Sequence, residues 1–235
     1  MPIILSIETS TKACSAAIHQ DGKLLSVSEL YNEKSSSGML TTLIAHVVKT
    51  ANLTFQDLDI IAVAKGPGSY TGLRIGVSTA KGLCFTLEKP LIAVNTLEAM
   101  AYQLSTLHSQ LPILLCPMLD ARRMEVYCSI FKSDDLAIIE PTQAKIIDET
   151  SFADLLATNK IIFFGDGAEK CRTILSENPN AVFLDKIVYP SARNIGFLAT
   201  KALEKEQFEN VADFEPFYLK EFVGTTPKKK QIIGF

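Results

Sequence analysis

Residues 3–18 fall without a gap on residues 115–130, with Glu8 on Asp120 and Ile18 on Ile130. In each copy an apolar run ends in an acid, a polar turn follows, and a second run alternates in and out. Chance similarity of two strand-turn-strand units competes with true duplication, but the pattern continues beyond the aligned stretch. In the first half IILSIE, CSAAIHQ and KLLSVSEL read as strands, with DGK as a hairpin turn between the last two. A helix starts near Gly38, with Met39, Leu40, Leu43, Ile44, Val47, Val48 and Ala51 on one face. DIIAVA is a strand, a helix is predicted over Tyr70–Leu87, and PLIAVN is a further strand. Asn95 to Glu98 has the spacing of a capping box that opens a helix to about Leu107. In the second half ILLCPMLD, MEVYCSIF, KIIFFGD and AVFL read as strands, with helices from about Ala168 and Ser191. Strands alternating with helices predict an α/β fold of two lobes, 1–108 and 109–235, with a cleft between them.

Bulk properties narrow the function. Hydrophobic residues make up 47% and charged residues 21% of the chain, as in a folded globular protein. A net charge of −3 gives no general attraction to nucleic acid. No apolar run approaches the roughly 20 residues of a membrane span, and the start MPIILSIETS reads as a strand and not a leader. Cys14, Cys84, Cys116, Cys128 and Cys171 form no C-x-x-C pair and read as small buried thiols. These features point to a cytoplasmic protein.

The stretch AKGPGSYTGLRIG (64–76) is the least ordinary part of the chain. A Walker loop needs a lysine after its last glycine, and here Leu73 and Arg74 follow Gly72. The dinucleotide fingerprint fails as well, because Thr71 stands where a third glycine belongs. A strand, a glycine-rich turn and a helix N-terminus remain, and that arrangement favours an anion. Gly72, Gly76, Ala80 and Cys84 also recur every fourth residue. Glycine inside a helix costs about 1 kcal/mol against alanine, so a row of small residues needs a packing reason. Two are open: close approach to the chain's own sheet, or to another subunit. On the second, Gly76→Leu is expected to abolish pairing and leave the fold intact.

GPGSYTGLRIG, with ILSIETST at the start, resembles the TsaB (YeaZ) family. NTLEAMA (95–101), DARRMEVY (120–127), GDGA (165–168) and PFYLK (216–220) follow in the family's order. The resemblance implies the actin-like ATPase and sugar-kinase superfamily, two tandem RNase H-like lobes. It implies a non-catalytic accessory subunit of the bacterial complex that transfers a threonylcarbamoyl group to adenosine of tRNA. That subunit binds and activates the TsaD-type catalytic paralogue, a TsaE-type ATPase joins the pair, and tRNA is met only through the complex. Alone, such a chain is expected to form a homodimer, and no membrane is involved. The alternative is an ATPase or small-molecule kinase of the same fold.

The expected partner interface is Met39, Leu43, Val47, Gly72, Leu73, Gly76, Val77, Ala80 and Leu83. A degenerate nucleotide- or phosphate-binding set is Glu8, Thr9, Ser10, Gly66, Gly68, Ser69, Arg74, Gly165 and Gly167. No cofactor is required by this chain alone, and ATP or ADP with magnesium is expected only at the subunit junction. A carboxylate with hydroxyls, as in Glu8 to Thr11, suits hydrated magnesium, and a polar strand-end turn is the competing reading. The family usually has aspartate at position 8, and a His-Ser pair where this chain has Ser36 and Ser37. The second turn, Asp120 to Arg123, carries bulky side chains where a phosphate clamp needs glycine; Arg122 and Arg123 suit an anion or stand solvated. His19, His46 and His108 are dispersed and match no zinc motif, which with the absence of G-x-S-x-G argues against a peptidase. No catalytic residue and no metal site are assigned. Lys228 to Lys230 read as a basic tail, solvated or touching tRNA phosphates in the complex.

Overall fold

The computed structural model describes residues 1–31, 36–108 and 113–220. Lys228–Lys230 and the side chains of Ser36, Ser37 and His108 lie outside the described residues. In chain order the elements are β1 (Ile3–Glu8), β2 (Cys14–Gln20), β3 (Lys23–Leu30), α1 (Ser36–Thr50), β4 (Ile60–Gly66), α2 (Tyr70–Leu87), β5 (Leu91–Asn95) and α3 (Thr96–His108). The second half continues with β6 (Leu114–Asp120), β7 (Glu125–Lys132), β8 (Ile138–Ile146), α4 (Ala153–Leu156), β9 (Ile161–Phe164), α5 (Glu169–Leu175), β10 (Ala181–Phe183) and α6 (Ala192–Glu204).

The strands form two five-stranded sheets, ordered β3-β2-β1-β4-β5 and β8-β7-β6-β9-β10. In both, the first three strands run antiparallel and the last two pair parallel to the first. The fold is therefore one plan used twice. The copies differ at one turn. Glu8 pairs with Ser15, whereas Asp120 pairs with Val126, the residue aligned with Cys14. The second turn is thus shorter by one residue (121–125 against 9–14). β8, the third strand of the second sheet, has no clear alternation and carries Pro141. Proline removes a ladder donor and is tolerated on an edge, which is where β8 lies.

Central strands β1 and β4 are apolar on both faces because helices cover both. On one face Leu5, Ile7, Ile18, Ile61 and Val63 meet α1 and α2 through Leu43, Ile44, Val47, Val77 and Ala80. On the other, Ile4, Ala62, Ile92 and Val94 meet Ile195, Leu198 and Ala199 of α6. Helix α6 comes from the second half of the chain. In exchange α3, from the first half, packs Leu97, Met100, Ala101 and Leu104 against Leu115, Phe131 and Phe164 of the second sheet. The two sheets thus separate in sequence between Asn95 and Leu114, while α3 and α6 each pack across that separation. Asn95 caps α3, its Oδ1 accepting from the N–H groups of Leu97 and Glu98 at 2.9 and 3.2 Å.

The row of small residues on α2 faces the chain's own sheet. A Cβ on Gly72 would lie 2.1 Å from the Thr9 carbonyl oxygen, and one on Gly76 2.2 Å from Thr9 Oγ1. The expectation that Gly76→Leu spares the fold is overturned, because the added side chain enters the β1–β2 turn. The apolar stripe of α1 likewise points inward. Leu43, Val47, Leu73, Gly76, Val77 and Ala80 are buried within this chain. Of the nine interface candidates only Met39, Gly72 and Leu83 keep partial exposure.

Gly76→Leu is expected to destabilise the chain by about 3 kcal/mol or more in urea unfolding. Gly82, on the same helix but with open space where its Cβ would stand, should tolerate alanine and gain up to about 1 kcal/mol.

Candidate binding cleft

A cleft of about 780 Å³ separates the two sheets. Its first wall is the β1–β2 turn and the start of α2, its second the β6–β7 turn with Asp166, and residues 217–220 close its side. The first wall is held by close contacts. The Ser69 N–H donates to the Ser10 carbonyl at 2.6 Å, and Thr9 Oγ1 donates to the Gly72 carbonyl at 2.8 Å. A Cβ on Gly68 would lie 2.3 Å from the Ser10 carbonyl oxygen. The N-terminus of α2 is already capped, with Ser69 Oγ accepting from the Gly72 N–H at 3.3 Å.

Of the phosphate candidates, Ser10, Gly68 and Ser69 face the cleft together. Thr9 is buried and bonded to α2, and Gly66 is buried against Leu73 and the Phe217 carbonyl. Glu8 is fully buried and does not line the cleft. One of its oxygens accepts from the Ser10 N–H at 2.5 Å, and the other has no partner among the described residues. Burial pushes this carboxyl up from 4.5 to about 7, against hydrogen bonds from Ser10 and Thr9 that favour the ionised form. Arg74 turns from the cleft: its Nε donates to the Tyr218 hydroxyl at 3.3 Å and its guanidinium lies 4.4 Å from the centre of the Tyr70 ring. Gly165 and Gly167 press on the end of β6, where added Cβ atoms would lie 2.2 Å from the Met118 carbonyl oxygen and 2.7 Å from the Leu119 carbonyl carbon. They serve the second sheet as Gly68 and Gly72 serve the first.

A magnesium nucleotide needs an oxygen ligand that faces it and backbone N–H groups free to meet phosphate. Glu8 is walled off, the Ser69 and Gly72 N–H groups are engaged, and the acids Asp120 and Asp166 stand at the second turn. This chain's own residues do not fit such a group. Among the described residues, no cluster of three or more His, Cys, Asp and Glu side chains suits a metal ion, and no helix is long and apolar enough to cross a membrane. His19 is buried beside α6, where Gly196 leaves room for its ring. Burial first, and the Arg193 charge second, hold its imidazole down at about 4.

The second wall carries its charges differently. Lys170 donates to Asp120 and Lys220 donates to Glu125, so two acids are paired. Arg122 and Arg123 have φ of 72° and 49°, left-handed backbone imposed by the shortened turn. Both side chains are exposed on the cleft, and neither guanidinium has a hydrogen bond or ion pair among the described residues. Sequence reasoning did not find Lys12, Tyr70, Tyr127 or the 217–220 wall as cleft residues. Only the folded path of the C-terminal segment brings the last of these across, through the Phe217 N–H donating to the Lys65 carbonyl at 2.7 Å.

Because the Glu8 pKa is raised on folding, its contribution to stability is complete below about 4.5 and is lost as pH rises through about 7. Glu8→Gln should therefore cancel about 2–3 kcal/mol of destabilisation between pH 5 and pH 8. His19 acts in the opposite sense, losing stability as pH falls from 6.5 towards 4, and this limb should persist in the variant. Urea midpoints across pH 4–9 read both limbs.

Comparison with known proteins fixes the family. The family model described as TsaD, tRNA N6-adenosine threonylcarbamoyltransferase, matches residues 31–224. The chain is 28% identical over 220 residues to the tRNA threonylcarbamoyladenosine biosynthesis protein TsaB of Escherichia coli (strain K12), covering 92% of this chain and 94% of that protein. It is 30% identical over 196 residues to the protein of the same name from Buchnera aphidicola subsp. Schizaphis graminum, covering 82% and 90%. The solved structure of YeaZ from Pseudomonas aeruginosa superposes with a TM-score of 0.80 at 23% identity, over 93% of this chain and 100% of that one, a likeness of fold. The chain belongs to the TsaB (YeaZ) family of TsaD-related proteins.

Proposed function

We propose that this chain is an accessory, non-catalytic subunit for forming threonylcarbamoyladenosine in tRNA. Its relatives carry that pathway in their names, and its role in this reading is to dock a TsaD-type transferase subunit and activate it. The observation that carries the docking role is Phe85, 83% exposed on α2. Helices α1 and α2 pack side by side on one face of the first sheet. Their outer surface presents Met39, 38% exposed, and Gly82 with open space above it. An aromatic side chain left almost wholly in water on a small-residue helix is the kind of anchor that fills a partner's pocket.

In this reading the isolated chain covers that surface by forming a homodimer, and the transferase subunit competes for it. A TsaE-type ATPase joins the assembled pair. Magnesium ATP or ADP belongs at the junction of subunits, because this chain's cleft does not complete a site for it.

Mixing the chain with the TsaD-type subunit of the same genome, with mass followed by size exclusion and light scattering, tests the reading. A heterodimer should replace the homodimer, and Phe85→Asp should weaken both associations at least thirtyfold, or about 2 kcal/mol, without shifting the urea midpoint. Steady magnesium-dependent ATP turnover by the chain alone, with no association, would favour a kinase or ATPase instead.

A further inference from the structure

The cleft between the sheets has features that the docking role does not use. Four cationic side chains, Lys12, Arg122, Arg123 and Lys220, face three acids, Asp120, Glu125 and Asp166, across about 780 Å³. That near balance suits singly charged phosphodiesters and disfavours a triphosphate, whose charge would meet Asp120 and Asp166. The cations without an ion pair among the described residues are Arg122 and Arg123, both exposed and both on the same short turn. Rings also line the space: Tyr70, Tyr127 and Tyr218, with Tyr70 and Tyr218 4.9 Å apart between centres. Planar guanidinium groups fit phosphate oxygens two at a time, and tyrosine faces accept unstacked bases whatever their sequence. An open groove with cations on one lip and aromatic rings along it is how chains grip single-stranded nucleic acid.

We infer that this cleft binds single-stranded RNA, with backbone phosphates on Arg122 and Arg123 and unpaired bases against Tyr127 and Tyr218, while Tyr70, packed between Arg74 and Tyr218, holds the latter in place. The assignment rests on the reading of the chain as part of a tRNA-modifying assembly, and departs from it in giving this subunit a direct contact with RNA. The net charge of −3 makes the contact local, so that its affinity depends on these two side chains and not on a general field.

Fluorescence anisotropy of the full chain with a labelled, unstructured oligoribonucleotide about ten residues long tests the inference. The informative variant is Arg122→Asn with Arg123→Gly. Asparagine and glycine accept the left-handed backbone that the arginines occupy, so the variant should unfold at no lower temperature than the wild type. It should nevertheless bind the oligomer at least about tenfold more weakly, and its dependence of log affinity on log salt should be shallower by roughly 1 to 1.5 units, as for two lost phosphate contacts. Undiminished binding by the variant, or no binding by the wild type at low salt, would overturn the assignment. So would displacement of the oligomer by magnesium ADP at micromolar concentration, because the cleft would then be a free-nucleotide site. Heterodimer formation by the same variant separates the two readings: the docking role stands if the pair still assembles, whatever the RNA result.

Discussion

The contact on which most of this structure depends is the seating of the Thr9–Ser10 turn in the glycines of α2. The turn's carbonyls at Gly68 and Gly72, and the Thr9 side chain at Gly76, come so close that no Cβ fits at any of the three. Two hydrogen bonds close the seat. The helix is thereby fixed over the first sheet, its inner side joins the core, and its outer side is presented at a set angle. The same closeness takes up the Ser69 N–H, which would otherwise be free to meet a phosphate. Packing and ligand binding compete for that amide, and here packing holds it.

The second sheet repeats the device with different consequences. Gly165 and Gly167 seat on the end of β6 as the α2 glycines seat on the end of β1. Its turn is one residue shorter, and two arginines there take left-handed backbone. One half of the duplicated plan thus ends in a buried carboxyl, the other in exposed cations. Two lobes of one plan thus offer two unlike walls to one cleft.

Much of this architecture was legible in the sequence. Apolar runs such as IILSIE and IIAVA, and the small-residue helix from Tyr70 to Leu87, announce themselves by period and length. β8 was missed because an edge strand with a proline and half-exposed positions has no face to alternate against. The exchange of α3 and α6 left no trace, since an apolar stripe says that a helix is covered but not by which sheet. The interface candidates rested on a related ambiguity. A stripe as regular as Leu43, Val47, Val77 and Ala80 says that a face is covered, and the chain's own sheet is what covers it here. Among the cleft residues, Ser10, Gly68 and Ser69 followed from their motif. Glu8 did not, because spacing gives its place at the strand end and not the depth at which folding buries it.

The exchanged helices bear on how the chain is made. The first sheet is finished in sequence by Asn95, yet one of its faces stays open until α6, ending at Glu204, is available. At 5–20 residues per second, synthesis of the intervening chain takes roughly 5–20 s. During that interval Ile4, Ala62, Ile92 and Val94 have only Ala99 and Tyr102 of α3 over them and lack the cover of α6. The first sheet is in this sense completed late, whereas the second meets α3 already made, and the need for shelter from aggregation is set by the length of chain between a sheet and the helix that completes it.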